Sequence, residues 1–291
     1  MPRASIFVIL LSYIIDPAHA QATQPQSVGG AAFTRIGSNF YIQGGSLYAD
    51  NLVQSLWSLD LSSSWSTSNP AWTSLPPGPY NGFHSAGFSS DNSTLYTFGR
   101  DTAASASQIA PSWLNIYDIS SKTWSAPASN PAALTDNSRR DFSVVTNPGA
   151  NKIYILGGDG GAAGSTMSNA FDVYDPAAKS LTENAMTTGP QNAVTYGAVW
   201  VPRLSNMLVI GGGNNPAGLW TYTPSTGAWA TQVKKKREKE GETLSVYQAD
   251  CMITWLWKLI SDTETFILLL FLLGHDRRLL VLTVQPLCCQ Q

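Results

Sequence analysis

Four short segments of the chain alternate apolar side chains and stop at glycine. They are Phe40-Tyr41-Ile42-Gln43-Gly44-Gly45, Leu95-Tyr96-Thr97-Phe98-Gly99, Ile153-Tyr154-Ile155-Leu156-Gly157-Gly158 and Met207-Leu208-Val209-Ile210-Gly211-Gly212. Their first glycines stand 55, 58 and 54 residues apart. A self-similar period near fifty marks a propeller or a solenoid. Fifteen residues upstream of these glycines stand Gly29, His84, Phe142 and Tyr196, each opening a run of small and β-prone residues. Turn residues follow, as in Gly37-Ser38-Asn39 and Pro148-Gly149-Ala150-Asn151. The pattern predicts a strand, a turn and a second strand.

Downstream come Trp57-Ser58-Leu59-Asp60, Asn115-Ile116-Tyr117-Asp118, Asp172-Val173-Tyr174-Asp175 and Trp220-Thr221-Tyr222-Thr223. Seven residues after the last aromatic stands Trp124, Leu181 or Trp229; in the first repeat Trp65 and Trp72 flank the expected place. Each unit therefore reads as four short antiparallel strands, and no helical periodicity of matching length competes. The expected fold is all-β, with four blades at about 29–75, 84–129, 142–188 and 196–232, after a lead at 21–28.

A strand ending in Gly-Gly, then a Tyr-Asp strand, then a Trp strand resembles the kelch family, over about 200 of the 291 residues. The resemblance implies a β-propeller with one blade per repeat. It gives Gly44, Gly45, Gly99, Gly157, Gly158, Gly211 and Gly212 the backbone shapes closed to other residues. It also places Tyr117 with Trp124, Tyr174, and Tyr222 with Trp229 between blades. Arg100 stands where a second glycine is expected. Kelch-type rings usually close with five to seven blades and four are visible, so the expectation is an incomplete ring.

Composition narrows the class. Charged residues are 12% of the chain and the formal net charge is −2, so no basic surface points to nucleic acid. The cysteines, Cys251, Cys288 and Cys289, all lie in the C-terminal tail. The repeats thus lack a cysteine metal site or nucleophile. Residues 1–20 read as a signal peptide: Arg3, the apolar run Ile6–Ile15, then Ala18-His19-Ala20 before Gln21. A buried N-terminal strand is the alternative. The expected location is the secretory pathway, ending extracellular or at the cell surface.

The same propeller carries galactose oxidase-like copper radical chemistry, which needs two His ligands, Tyr ligands and a Cys bonded to a Tyr. The mature repeats hold one histidine, His84, and no cysteine. No cofactor, metal or catalytic residue is therefore assigned to this chain, and His84 reads as a packing or capping residue. Asp60, Asp118 and Asp175 recur in register, which suits turn formation better than a catalytic pair. Gly157-Gly158-Asp159-Gly160-Gly161 lacks the Lys and the helix of a phosphate loop.

Strand alternation puts the loops between second and third strands on one face, with the links between blades. Variable loops on a rigid scaffold are where binding concentrates. Arg100, Asp101, Arg139, Arg140 and Asp159 are the candidate contacts there for an unknown protein or glycan partner. Asn92-Ser93-Thr94 is a glycosylation sequon on the opposite face. The expected function is a non-catalytic binding scaffold. The alternative is a truncated galactose oxidase-like or other carbohydrate-active propeller.

The register stops after Gln232, where Lys234-Lys235-Lys236-Arg237-Glu238-Lys239-Glu240 begins an unrelated tail, residues 233–291. Its apolar run Phe266–Leu273 is eight residues, and a membrane span needs about twenty. We read the tail, irregular or partly helical, as foreign to the propeller through read-through or a shifted frame. A membrane anchor and a surface helix are the alternatives.

Overall fold

The computed structural model describes residues 24–47, 51–66, 68–99, 110, 112–127, 139–160, 166–191, 194, 197–211 and 218–231. Residues 1–20, read above as a signal peptide, and the tail at 233–291, with Arg100, Asp101 and Gly212, lie outside the described residues. The described chain forms four four-stranded antiparallel sheets. The first holds β1 (Ala32–Ile36), β2 (Asn39–Gln43), β3 (Leu56–Asp60) and β4 (Trp72–Leu75). The second holds β5 (Ser85–Phe88), β6 (Thr94–Phe98), β7 (Leu114–Asp118) and β8 (Thr123–Ser125). In the third, β9 (Ser143–Asn147) and β10 (Lys152–Leu156) precede a small hairpin, β11 (Asp159–Gly160) and β12 (Thr166–Met167). The sheet resumes with β13 (Phe171–Asp175) and β14 (Ser180–Thr182). The fourth holds β15 (Gly197–Val201), β16 (Asn206–Ile210), β17 (Leu219–Thr223) and β18 (Ala228–Thr231). Among the described residues no helix is long and apolar enough to cross a membrane.

Each four-stranded sheet is a meander in chain order, so each is one propeller blade. The first strands pack in series, β1 on β5, β5 on β9 and β9 on β15, which places them innermost. Register gives one correction. Ala32, Ser85, Ser143 and Gly197 face the residue before each first glycine, so Ala31, and not Gly29, is equivalent to His84 and Phe142. The first hairpin is two residues shorter because Gly37-Ser38 makes a two-residue turn, with Gly37 at φ +57. In the same blade Trp72, paired with Leu59, occupies the place of the blade tryptophan, and Trp65 belongs to the preceding turn.

Alternation gives each blade a backward face, toward the preceding blade, and a forward face, toward the next. Tyr117, Tyr174 and Tyr222 all lie on backward faces. Tyr174 meets Tyr96 and Phe98 of blade two edge-on at 5.5 and 5.6 Å. Tyr222 meets Phe171 of blade three at 4.7 Å. Beside them Trp124 lies 5.0 Å from Tyr117, and Trp229 lies 4.9 Å from Tyr222. Burying side chains of this size stabilises by roughly 1.5–3 kcal/mol each, so these stacks are the core of the fold.

The glycine pairs let blades approach. A Cβ on Gly44 would sit 2.6 Å from the Asn81 carbonyl oxygen and 2.9 Å from the His84 ring, both in the next blade's entry segment. A Cβ on Gly158 would sit 2.8 Å from the Arg140 carbonyl oxygen, in its own blade's entry. The first glycine thus admits the following blade and the second its own. Gly44, Gly157 and Gly211 have φ of +65, +61 and +72. Gly99, followed by Arg100, departs to +105.

Candidate functional site

The entry segments of the blades and the β2–β3-type loops share one end of the propeller. Two residues before β1, β5 and β9 stand Gly30, Phe83 and Asp141, all left-handed, with φ of +64, +52 and +55. They are joined around the inner rim. The Phe83 N–H donates to the Gly30 carbonyl at 2.7 Å, and the Asp141 N–H donates to the Phe83 carbonyl at 2.9 Å. Non-glycine residues held at positive φ cost of order 1–3 kcal/mol and persist where the surroundings over-determine them. Here the rim hydrogen bonds and the close approach of Gly30 to the Phe83 ring hold them.

Arg140 and Asp159 sit beside this rim. Their backbones exchange two hydrogen bonds, of 3.0 and 2.8 Å, as an isolated bridge. Their side chains pair loosely at 3.9 Å, with 33% and 17% exposure. The Arg140 guanidinium lies over the Phe83 ring at 5.8 Å. Asp159 is fixed further by the β11–β12 hairpin. The two charges therefore present on a braced backbone and not on a loose loop.

Arg139, one residue away, goes elsewhere. It is 5% exposed and donates to Asp172 Oδ2 at 2.6 Å, inside the interface between blades two and three. Its guanidinium lies 5.7 Å from the Trp113 ring and 5.4 Å from the Phe142 ring. Asp172 Oδ1 also accepts from the Asn184 N–H. The structure therefore moves Arg139 from the candidate surface into the core. Of the five candidate contacts, it brings together Arg140 and Asp159.

His84 is fully enclosed between blades one and two. Its Nε2 lies 2.5 Å from Gln43 Oε1, while the Gln43 amide donates to the Pro79 carbonyl at 2.9 Å. Burial pushes its pKa down to about 3, opposed by the Gly30 backbone. The ring is neutral at ordinary pH and buried between the blades. Among the described residues no three His, Cys, Asp or Glu side chains come together as a metal site.

On the opposite end, the recurrent aspartates hold turns. Asp60 accepts from the Ser62 N–H, Asp118 from the Ser121 N–H, and Asp175 from the N–H groups of Ala177 and Ala178. These bonds lower the pKa of all three, led by the Ser62 hydroxyl for Asp60 and the Ser121 N–H for Asp118. For Asp175 the ammonium of Lys152 leads. Asn92 is exposed on this end at φ +59, beside Asp91, whose carboxylate accepts from Ser89 and Ser93. Those bonds, led by the Ser89 hydroxyl, hold the Asp91 pKa at about 2.

Sequence reasoning missed the rim. Its signal is positional equivalence among Gly30, Phe83 and Asp141, which the shortened first hairpin hides. It also missed two seats for the blade tryptophans. A Cβ on Gly78 would lie 2.7 Å from the Trp124 ring, and one on Gly189 would lie 2.7 Å from the Trp229 ring. Both glycines precede proline in a link between blades, Gly78-Pro79 and Gly189-Pro190, and that repeated dipeptide was a readable signal.

The family model described as the KLHDC2/KLHL20/DRC7 Kelch-repeats domain matches residues 30–253. A solved structure titled "Structure of YjhT" aligns with a TM-score of 0.56 at 12% identity, over 75% of this chain and 68% of that chain. At that identity the likeness is one of fold. No curated protein sequence matches the chain.

Proposed function

The chain belongs to the kelch-repeat family, and from that we propose a non-catalytic scaffold that binds a protein partner through the end carrying Gly30, Phe83, Asp141, Arg140 and Asp159. One observation carries the reading: the Arg140 guanidinium over the Phe83 ring, on backbone pinned by the Asp159 bridge and the rim bonds. Arg and aromatic side chains dominate binding energy at interfaces, most of all where they are rigid before binding. Propellers host many functions, so family membership suggests a scaffold and this site supports the binding role.

The proposal extends to location. The leader-like residues 1–20 and the exposed sequon at Asn92 support passage through the secretory pathway. A glycan partner is the second form of this reading. The copper radical alternative lacks support in a neutral, enclosed His84.

The test compares partners captured from the culture medium by wild type, Arg140→Glu, and Lys122→Glu on the opposite end. Expected is one partner held by wild type and Lys122→Glu and lost at least tenfold by Arg140→Glu. Capture lost only by Lys122→Glu overturns the assigned face. Stoichiometric copper with peroxide formation from galactose or glyoxal overturns the non-catalytic reading. Mass spectrometry of the secreted chain checks for a start at Gln21 and a glycan on Asn92.

A further inference from the structure

The three interfaces between blades share one plan but not one chemistry. At the second, between blades two and three, Tyr174 meets Tyr96 and Phe98 edge-on, and Phe98, Trp113 and Phe142 belong to one buried cluster. At the third, Phe171 meets Tyr222 and Trp229 at 4.7 and 5.4 Å, in a cluster with Met186, Met207 and Val209. The first is thinner. Its buried cluster sets Tyr41 and Tyr117 among Ile36, Leu56, Leu95 and the small Ala32 and Ala86, with no Phe or Trp among its buried members.

Polar side chains fill the rest of that first interface. The residue before the first glycine is Gln43 in blade one, where blade two has Phe98. In the entry of blade two stands His84, where blade three has Phe142. A hydrogen-bonded amide and imidazole thus replace two phenyl rings. Thr97 and Asn115, buried on the backward face of blade two, line the same interface. His84 Nδ1, Thr97 Oγ1 and Tyr117 Oη are buried there without a hydrogen-bond partner. A partly satisfied polar network in a low-dielectric interior weakens the contact that encloses it, because each such group is better solvated when exposed.

We propose that the interface between blades one and two is the joint at which the propeller opens. Two cross-blade bonds part there: His84 Nε2 to Gln43 Oε1, and the rim bond from the Phe83 N–H to the Gly30 carbonyl. Each blade keeps its own strand ladder, so the opening separates two intact sheets and unfolds neither. The Phe83 ring packs closely on Gly30 and lies under the Arg140 guanidinium. Opening therefore withdraws the support beneath Arg140. On the reading of that end as a partner site, on which this consequence rests, the partner binds the closed form and holds the joint shut.

Hydrogen exchange followed by NMR on the full-length chain tests the joint without a partner, so its outcome is separate from that of the partner reading. The Phe83 and Asp141 amides are equivalent rim donors, one at each of the first two interfaces. The protection factor of Phe83 is expected to be about tenfold or more below that of Asp141. Gln43→Leu combined with His84→Phe supplies the apolar pair of the next interface. It is expected to raise the Phe83 value to within about threefold of Asp141. Thr97→Val removes a buried, unpartnered hydroxyl with little change of shape, and is expected to act in the same direction should the double variant fail to fold. Phe83 protected as well as Asp141 in the wild type overturns the joint. A folded double variant, or Thr97→Val, that leaves the Phe83 value unchanged overturns the polar interface as its cause.

Discussion

His84 Nε2 donates to Gln43 Oε1 at 2.5 Å across the interface between the first two blades, where both residues are buried, at 5% and 1% exposure. Gln43 is oriented by its own bond to the Pro79 carbonyl. The imidazole is thereby a neutral donor built into the stack. In the unfolded chain it titrates near 6.5, and in the folded chain near 3. Between those values the unfolded state binds more protons, so the contribution to stability is complete above about pH 6.5 and declines as pH falls toward 3.

The melting temperature is therefore expected to fall between pH 7.5 and 4.5. Asp60, Asp91, Asp118 and Asp175 have lowered pKa values and remain ionised through that window, so their losses come at lower pH. His84→Gln keeps a donor but removes the titration, and its profile over the same range is expected to be flatter. Differential scanning calorimetry in matched buffers reads the difference. Parallel profiles for the two proteins would show that His84 does not set the dependence.

Arg139 and Asp172 form a paired charge inside the blade two–blade three interface. Removing one partner leaves the other buried and uncompensated, at a cost of roughly 3–5 kcal/mol. Asp172→Ala and Arg139→Ala are each expected to lose about that much in urea unfolding. Arg139→Leu combined with Asp172→Leu is expected to recover a large part of the loss. A double variant as unstable as the sum of the singles would show that the two residues act independently and not as a pair.

Gly189 seats Trp229 at φ +101, where a side chain is both strained and in collision. Gly189→Ala is expected to destabilise by about 2–3 kcal/mol, from backbone strain and displacement of the ring. Gly78→Ala meets Trp124 but has no positive φ, and its cost is expected to be smaller. Tryptophan fluorescence during denaturant unfolding measures both.

The turns between third and fourth strands hold Lys122, Lys179 and Gly227 at φ +58, +52 and +66 in equivalent positions. The fourth blade already uses the residue that this conformation favours. Lys122→Gly and Lys179→Gly are each expected to stabilise by roughly 0.5–1 kcal/mol, as relief of left-handed strain outweighs the flexibility of glycine. Unchanged or lower melting temperatures in both would count against strain at these turns.

The chain's own order of residues determined the architecture. Period-two alternation before glycine, repeated four times, specifies strands, their inward and outward faces and the turns that Asp118 and Asp175 hold. It also marks Tyr117, Trp124, Tyr222 and Trp229 as packing residues, because large aromatic groups at matched positions have nowhere else to be buried. Arg139 and Arg140 show what lay beyond its reach. They are adjacent and chemically identical, yet one is clamped by Asp172 in the core and the other lies over Phe83 at the surface. Successive residues point to opposite sides, but which side is filled depends on residues distant in sequence, Asp172 and Phe83. The rim of Gly30, Phe83 and Asp141 was hidden for the same reason: its hydrogen bonds run between blades, and a two-residue difference in one hairpin masks the equivalence. Local pattern sets each blade; only the stacking of blades decides which charges and glycines remain for a partner.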